Sequence, residues 1–256
     1  MKILVTFALE NEFAPWRAIR DFRPAQVGMT DVYCAAIDGA EVEVIVTGVG
    51  QRLAGLRARD VLKANGNSIE VCVSSGLAGA VKREYVIGQV LGARAVRVGD
   101  PNDGGTSVVE CSSALVSFAQ SCGATVVDRF YTSARVIGTP EEKQHIAKFA
   151  DAVEMESFGV LSEAAESGVA AVAIRAISDL AGENLPLDMD EVFTDKGKVS
   201  IPRVLGQVAR HPGAVPGLLK VGQQSKTAAE ALARFLDHYV AVVAGRSAVL
   251  NARGAA

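Results

Sequence analysis

Short, dense apolar runs alternate with stripes of helical period along this chain, and that alternation predicts an α/β fold. Residues 2–8 (KILVTFA) read as a strand rich in β-branched and aromatic side chains. The pattern breaks at Leu9-Glu10-Asn11-Glu12, and residues 13–22 have helical character, with Pro15 tolerated in a first turn. Residues 31–37 and 41–47 read as strands joined at Asp38-Gly39, a hairpin signal. Gly48-Val49-Gly50 opens a helix over 51–64, whose apolar positions include Leu53, Leu56, Val61 and Leu62. A strand over 69–73 then leaves through Ser74-Ser75-Gly76-Leu77-Ala78-Gly79.

The second half continues the alternation. Residues 86–98 predict one or two strands, 99–106 (GDPNDGGT) a loop, and 112–123 a short helix. Strands are expected at 124–129 and 133–137, and Thr139-Pro140-Glu141-Glu142 starts a helix with Thr at the cap. The stretch 151–179 is the densest in chemistry. Ala152-Val153 leads into Glu154-Met155-Glu156, a helix is expected over 157–168, and 169–177 is nearly continuous apolar sequence ending in Ser178-Asp179. A run such as AAVAIRAI suits a strand covered on both faces. Arg175 inside it is costly to bury unless a carboxylate, a phosphate or water meets it.

Past Asp179 the sequence turns polar and glycine-bearing over 181–200, with a charged turn at 194–198. Pro202, Pro212 and Pro216 punctuate short helical pieces. Thr227-Ala228-Ala229-Glu230 reads as a capping box before Leu232, Phe235, Leu236, Tyr239, Val240 and Val243 at helical spacing. That stripe predicts docking against the main body rather than a membrane. The residues from 247 read as a frayed end. The expected organisation is a core over 1–180 and a helical C-terminal extension over 181–256, packed on the same domain.

Composition narrows the function classes. With 256 residues, 49% hydrophobic and 21% charged, the chain can bury a sizeable core. A net charge of −3 and 5% aromatics give no basic stripe or stacking surface, so no nucleic-acid partner is expected. Cys34, Cys72, Cys111 and Cys122 form no CxxC pair and stand apart from His145, His211 and His238, so no metal site or disulfide framework is expected. Acids at Glu10 and Glu12 argue against a secretory leader, and no apolar run reaches spanning length; a soluble, cytoplasmic protein is expected.

In an open α/β sheet, ligands sit at the carboxyl ends of the strands, which is where Glu156 and Asp179 fall. The plain alternative has Glu156 at a helix N-terminus and Asp179 capping a turn. The exits Gly48/Gly50 and Gly76/Gly79 match neither a Walker sequence nor a dinucleotide fingerprint. They suit either tight turns or a small ligand close to the main chain.

Three blocks, ALENE (8–12), VSSGLAGAV (73–81) and VEMES with RAISD (153–157 and 175–179), carry a further signal. In them the chain resembles the nucleoside phosphorylase / methylthioadenosine–adenosylhomocysteine nucleosidase superfamily, its nucleosidase branch in particular. The resemblance covers roughly 2–179, is vague over 99–135 and fades in the C-terminal quarter. It implies a three-layer α/β sandwich with a central mixed, partly barrel-like sheet flanked by helices. It also implies a homodimer or higher homo-oligomer and cleavage of the N-glycosidic bond of a small-molecule nucleoside.

By the same resemblance, Asp179 matches the acid that serves purine N7, with Ser178 supporting it. Glu156 matches the carboxylate that holds the ribose hydroxyls, and Met155 the residue that packs on the sugar. Glu12 matches the acid that polarises water, and Arg175 the arginine that helps to place it. Val136 and Ile137 lie where the family grips the adenine edge, and Ala78 and Gly79 fall in its glycine-rich substrate loop. These residue types suit the reaction: a purine leaves badly without a positioned acid, and carboxylates favour an oxocarbenium-like ribose. An apolar strand exit that holds a proton on Asp179 at neutral pH is expected.

The resemblance departs at Leu77, where many members have serine, and around Val136, where they have a stacking aromatic. Both changes make the pocket more apolar. With Glu10 and Glu12 where purine phosphorylases carry a glycine-and-arginine loop, water is favoured over phosphate. No cofactor is expected, phosphate being a co-substrate only in a phosphorylase. Two alternatives stay open: a phosphorylase, including one acting on a bulky hopanoid-like adenosyl substrate, and a non-catalytic nucleoside-binding relative.

Overall fold

The apolar runs enter one sheet of ten strands. In chain order these are β1 (Lys2–Phe7), β2 (Arg23–Val27), β3 (Thr30–Ile37), β4 (Ala40–Val46), β5 (Ile69–Ala80), β6 (Val90–Val98), β7 (Ser107–Glu110), β8 (Thr125–Thr132), β9 (Ala152–Glu154) and β10 (Ala170–Asp179). The helices are α1 (Glu10–Ile19), α2 (Gln51–Asn65), α3 (Ser113–Ser121), α4 (Pro140–Ile146), α5 (Ser157–Glu166), α6 (Met189–Val192), α7 (Ile201–Arg210) and α8 (Val215–Gly245). The computed structural model describes residues 1–101, 105–187, 189–192, 194, 197 and 200–246, with 189 and 190 described by backbone alone.

The strand order is β10-β6-β8-β9-β5-β1-β4-β3-β2, with β7 on β6, and a further pairing of β10 with β5 closes β10, β6, β8, β9 and β5 into a ring. β5 runs parallel to β1 and β10, whereas β10 and β6 are antiparallel. This is the mixed, partly barrel-like sheet flanked by helices that the family resemblance implies. Successive residues of β1, β5 and β10 are buried, among them Leu4, Val5, Val71, Cys72, Val73, Val172 and Ile174, so both faces are covered. α5 and α8 both pack on β5 and β10, and α2 packs on α5.

α1 sits where it does because Phe13 and Trp16 enter an aromatic cluster with Phe7 and Phe22. Its far end is tied to α8: Arg20 Nε and Nη2 donate to Asp237 at 2.6 and 3.0 Å, and Trp16 Nε1 donates to the same carboxylate at 3.2 Å. The stripe Leu232, Leu236, Tyr239, Val240 and Val243 is buried, and Tyr239 Oη donates to Leu115 O at 3.1 Å.

Several expected boundaries move. α1 starts at Glu10, not at 13, because Glu12 turns back to accept the Leu9 amide at 3.1 Å and two acids favour the dipole end. Pro15 therefore lies inside the helix and Phe22 beyond it. β5 continues through its glycines to Ala80, because β10 pairs with it from Val71 to Gly79. No strand forms over 133–137: Ser133 Oγ donates to Arg135 O at 2.6 Å, a local turn. β2 and β7 carry no strong strand signal and exist by pairing with β3 and β6. Thr227 caps nothing; α8 runs through it and its hydroxyl donates to Gln223 O at 3.1 Å. The end from 247, part of the turn at 194–198 and part of the loop at 99–106 lie outside the described residues.

Candidate active site

A cavity of about 200 Å³ opens at the carboxyl ends of β5 and β10. Its lining takes in Glu12, Ala78, Gly79, Val136, Ile137, Met155, Glu156, Ser178 and Asp179, together with Leu77, Arg135 and Glu154. Leu185 and, from α8, Val221 and Ser225 close another side. A wider depression of about 700 Å³ over Ile19, Arg23 and Cys34 contains none of the ten residues expected at the site. Carboxylate convergence, not size, marks the smaller one.

Glu12 lies in the first turn of α1 and is buried. Its Oε2 accepts the amides of Ala8 and Leu9 at 3.0 and 3.1 Å, and Oε1 faces the Leu77 amide at 3.4 Å. Gly76, at φ +145°, makes this possible: a Cβ there would stand 3.3 Å from Glu12 Oε2 and 3.7 Å from Arg175 Cζ. Burial pushes the Glu12 carboxyl above its ordinary range, while the Arg175 charge and the three amides pull it back.

Arg175 is wholly buried and does not line the cavity; it lies beneath it. Its Nη2 is 2.7 Å from Glu154 Oε2 and 3.8 Å from Glu156 Oε2, and its Nη1 donates to Ser74 O and Ile174 O at 2.8 and 3.1 Å. The partner that a buried arginine demands is therefore Glu154, a residue sequence reasoning passed over. Glu154 Oε2 also accepts the Glu156 and Ser157 amides at 2.9 and 2.7 Å, and Oε1 accepts from Thr132 Oγ1. So the carboxylate serving the start of α5 is Glu154, not Glu156.

Glu156 is released for other work. Its Oε1 accepts the Gly50 amide at 2.9 Å, at the opening of α2. Burial, then the Glu154 charge, push its carboxyl up to about 8, against the pull of Arg175.

Asp179 ends β10. Ser178 Oγ lies 3.0 Å from its Oδ1, and a Cβ on Gly79 would stand 2.8 Å from its Oδ2. The strand exit expected to be apolar around this acid carries a cation as well. Lys143, wholly buried on α4, places its Nζ 2.5 Å from Asp179 Oδ2 and 2.7 Å from Leu180 O. Thr139 caps α4 as expected, and the structure completes a capping box there: Glu142 N donates to Thr139 Oγ1 at 3.3 Å, and Thr139 N to Glu142 Oε2 at 3.1 Å. Lys143 follows one residue later. A lysine inside a polar helix carries no local sign that it will face an acid from another strand.

The glycines thus have a use neither sequence reading gave them. Gly50 donates to Glu156, and Gly76 and Gly79 leave room for the carboxylates of Glu12 and Asp179. Of the ten residues expected at the site, all but Arg175 line one cavity.

A family model described as the phosphorylase superfamily matches residues 2–210. The chain belongs to the phosphorylase superfamily. Its structure is also similar to solved structures of other proteins. One is a 5′-methylthioadenosine/S-adenosylhomocysteine nucleosidase from Helicobacter pylori, with TM-score 0.72 and 19% identity over 94% of this chain and 97% of that one. Futalosine hydrolase of the same organism gives TM-score 0.72 and 19% identity over 94% and 97%. An S-adenosylhomocysteine nucleosidase from Streptococcus pyogenes gives 0.72 and 18% over 94% and 96%. At these identities the likeness establishes the fold.

As a superfamily member the chain is an enzyme of the nucleosidase or phosphorylase kind. Among the described residues no group of His, Cys, Asp and Glu could hold a metal ion, and no helix is long and apolar enough to cross a membrane. What the cavity offers is carboxylates of differing environment: three near a shared guanidinium and one on an ammonium.

Proposed function

We propose that this chain cleaves the N-glycosidic bond of a purine, adenosyl-type nucleoside by hydrolysis. Glu12 activates the attacking water, Glu156 holds the ribose hydroxyls with Met155 against the sugar, and Asp179, steadied by Ser178, serves the N7 side of the base. Main chain at Ala78, Gly79, Val136 and Ile137 borders the base. A base is most useful when its pKa lies near the working pH, and the burial that raises Glu12 moves it that way. Arg175 is buried and is not among the residues that line the cavity. It acts from below, holding Glu154 and opposing the carboxylates' mutual repulsion.

As the glycosidic bond stretches, positive charge gathers on the ribose ring, and the carboxylates at this end favour it. The observation that carries the choice of water is the sign of the lining. Among the described lining residues the acids are Glu12, Glu154, Glu156 and Asp179, and the one cation is Arg135. Glu142 Oε1 already sits 2.6 Å from Arg135 Nη2. A phosphate nucleophile would enter without a free counter-charge.

Incubating the protein with a nucleoside panel, with and without phosphate, tests the reading. Free sugar formed at a rate indifferent to phosphate is expected; ribose 1-phosphate would make the chain a phosphorylase, and silence on every nucleoside would support a non-catalytic binder. The wall of Leu77, Leu185 and Val221 supports a second reading, an apolar 5′ substituent larger than methylthio and hopanoid-like at the extreme. Turnover of methylthioadenosine or adenosylhomocysteine with kcat/KM above ~10⁴ M⁻¹s⁻¹ would remove its motive.

A further inference from the structure

The Asp179–Lys143 pair is unlike the rest of the site. Lys143 is fully buried, lies outside the cavity lining, and reaches the cavity only through Asp179. A buried ammonium needs a counter-charge, and a carboxylate in contact with one is favoured in its charged form. A charged carboxylate alone has no proton to give. A purine leaving as an anion needs one.

We propose that Lys143 is the proton source for Asp179, a positioning residue that reloads the acid from behind while Asp179 alone meets the base. The inference rests on the reading of Asp179 as the acid toward a purine. In the resting pair the ammonium donates to Oδ2 and holds the carboxylate plane, with Leu180 O taking a second N–H and Ser178 Oγ beside Oδ1. As the glycosidic bond breaks, its electron pair passes to the purine and N7 becomes basic. One N–H bond at Lys143 breaks as an O–H bond forms on Asp179, and a carboxyl O–H breaks as N7–H forms. Lys143 is left neutral and Asp179 charged; the ammonium is restored by a proton from solvent. The water's proton leaves separately, on Glu12, so charge balances at both ends.

An ion pair deep in a protein is also an ordinary structural device, so the test must separate proton supply from mere bracing. Lys143→Arg does this, because a guanidinium keeps the charge and the hydrogen bonds but does not give up its proton. Each variant is assayed on an ordinary purine nucleoside and on its N7-methylated counterpart, whose base is already cationic and needs no acid. For Lys143→Arg the expected result is a kcat loss of about 10²–10⁴-fold on the ordinary nucleoside. On the N7-methylated substrate the loss should stay under about tenfold, with KM little changed on both. Equal losses on the two substrates, or ordinary turnover kept within about tenfold, would overturn the relay.

Melting curves accompany every assay. If the larger side chain prevents folding, Lys143→Gln, read below its Tm, carries the same two-substrate ratio. An unaltered protein that cleaves neither substrate would bring down the glycosidic reading and this inference with it. Cleavage by the unaltered protein with an unmoved ratio in the variants would bring down this inference alone.

Discussion

The two ends of the cavity hold charge in opposite ways. At the Glu12 end Glu12, Glu154 and Glu156 share one guanidinium, Arg175, so negative charge is in surplus. At the Asp179 end one carboxylate meets one ammonium, Asp179 with Lys143, and the pair is balanced. The surplus has a visible effect: burial and Glu154 lift Glu156 to about 8, and burial lifts Glu12. On the proposed reading, such a site would favour positive charge at the end given to the ribose and a proton at the end given to the base. On the same reading, the carboxylates repel one another most at the end where the transition state would relieve them.

Breaking the balanced end should have the largest effect. Asp179→Asn should lower kcat on ordinary purine nucleosides by about 10⁴-fold, read by base release under saturating substrate. It should not be a silent change in the resting protein, since it leaves the Lys143 ammonium buried without a counter-charge. A fully active Asn variant would remove Asp179 from the mechanism.

At the surplus end the guanidinium matters most. Arg175→Met should cost about 3–5 kcal/mol of stability, because Glu154 would be left charged and buried. Denaturant unfolding measures this, and adding Glu154→Gln to the same chain should recover much of the loss. A single variant as stable as the parent would mean that the network is not held by its charges.

Glu12→Gln should lower kcat by about 10²–10³-fold while nucleoside affinity changes little, a split that single-turnover and binding measurements resolve. Loss of affinity with kcat intact would instead move Glu12 to a binding role.

The smallest effect sharpens the contrast through pH. The folded state favours protonated Glu156, so this residue's stabilisation is full below the ordinary carboxyl range and is lost as pH rises through about 8. Glu156→Gln keeps a neutral side chain at every pH. It should melt above the parent by on the order of 5 °C at pH about 9, the gap shrinking toward pH about 5. A gap independent of pH would show that Glu156 carries no such penalty.

Much of this was legible in the residues. The strand patterns at 2–8 and 169–177, the hairpin at Asp38-Gly39 and the Thr139 cap of α4 all depend on neighbours in sequence, and all formed. The blocks around Glu12, Glu156 and Asp179 pointed to one site because their order and spacing were specific. Other features had no local signature. β5 keeps its strand form through Gly76 and Gly79 only because β10 runs beside it, and β2 exists only against β3. Glu154 and Glu156 stand on either side of Met155, and nothing in their order says which of them Arg175 holds more closely.

The sequence by itself determined the alternation of strands and helices, the family, and which acids stand at strand ends, because backbone preference and side-chain period act over a few residues. Only the tertiary structure decided what each acid faces. Charges act across space, so Lys143 meets Asp179 from 36 positions away and Arg175 reaches Glu154 from 21. With those pairings comes the division of the cavity into a surplus end and a balanced one.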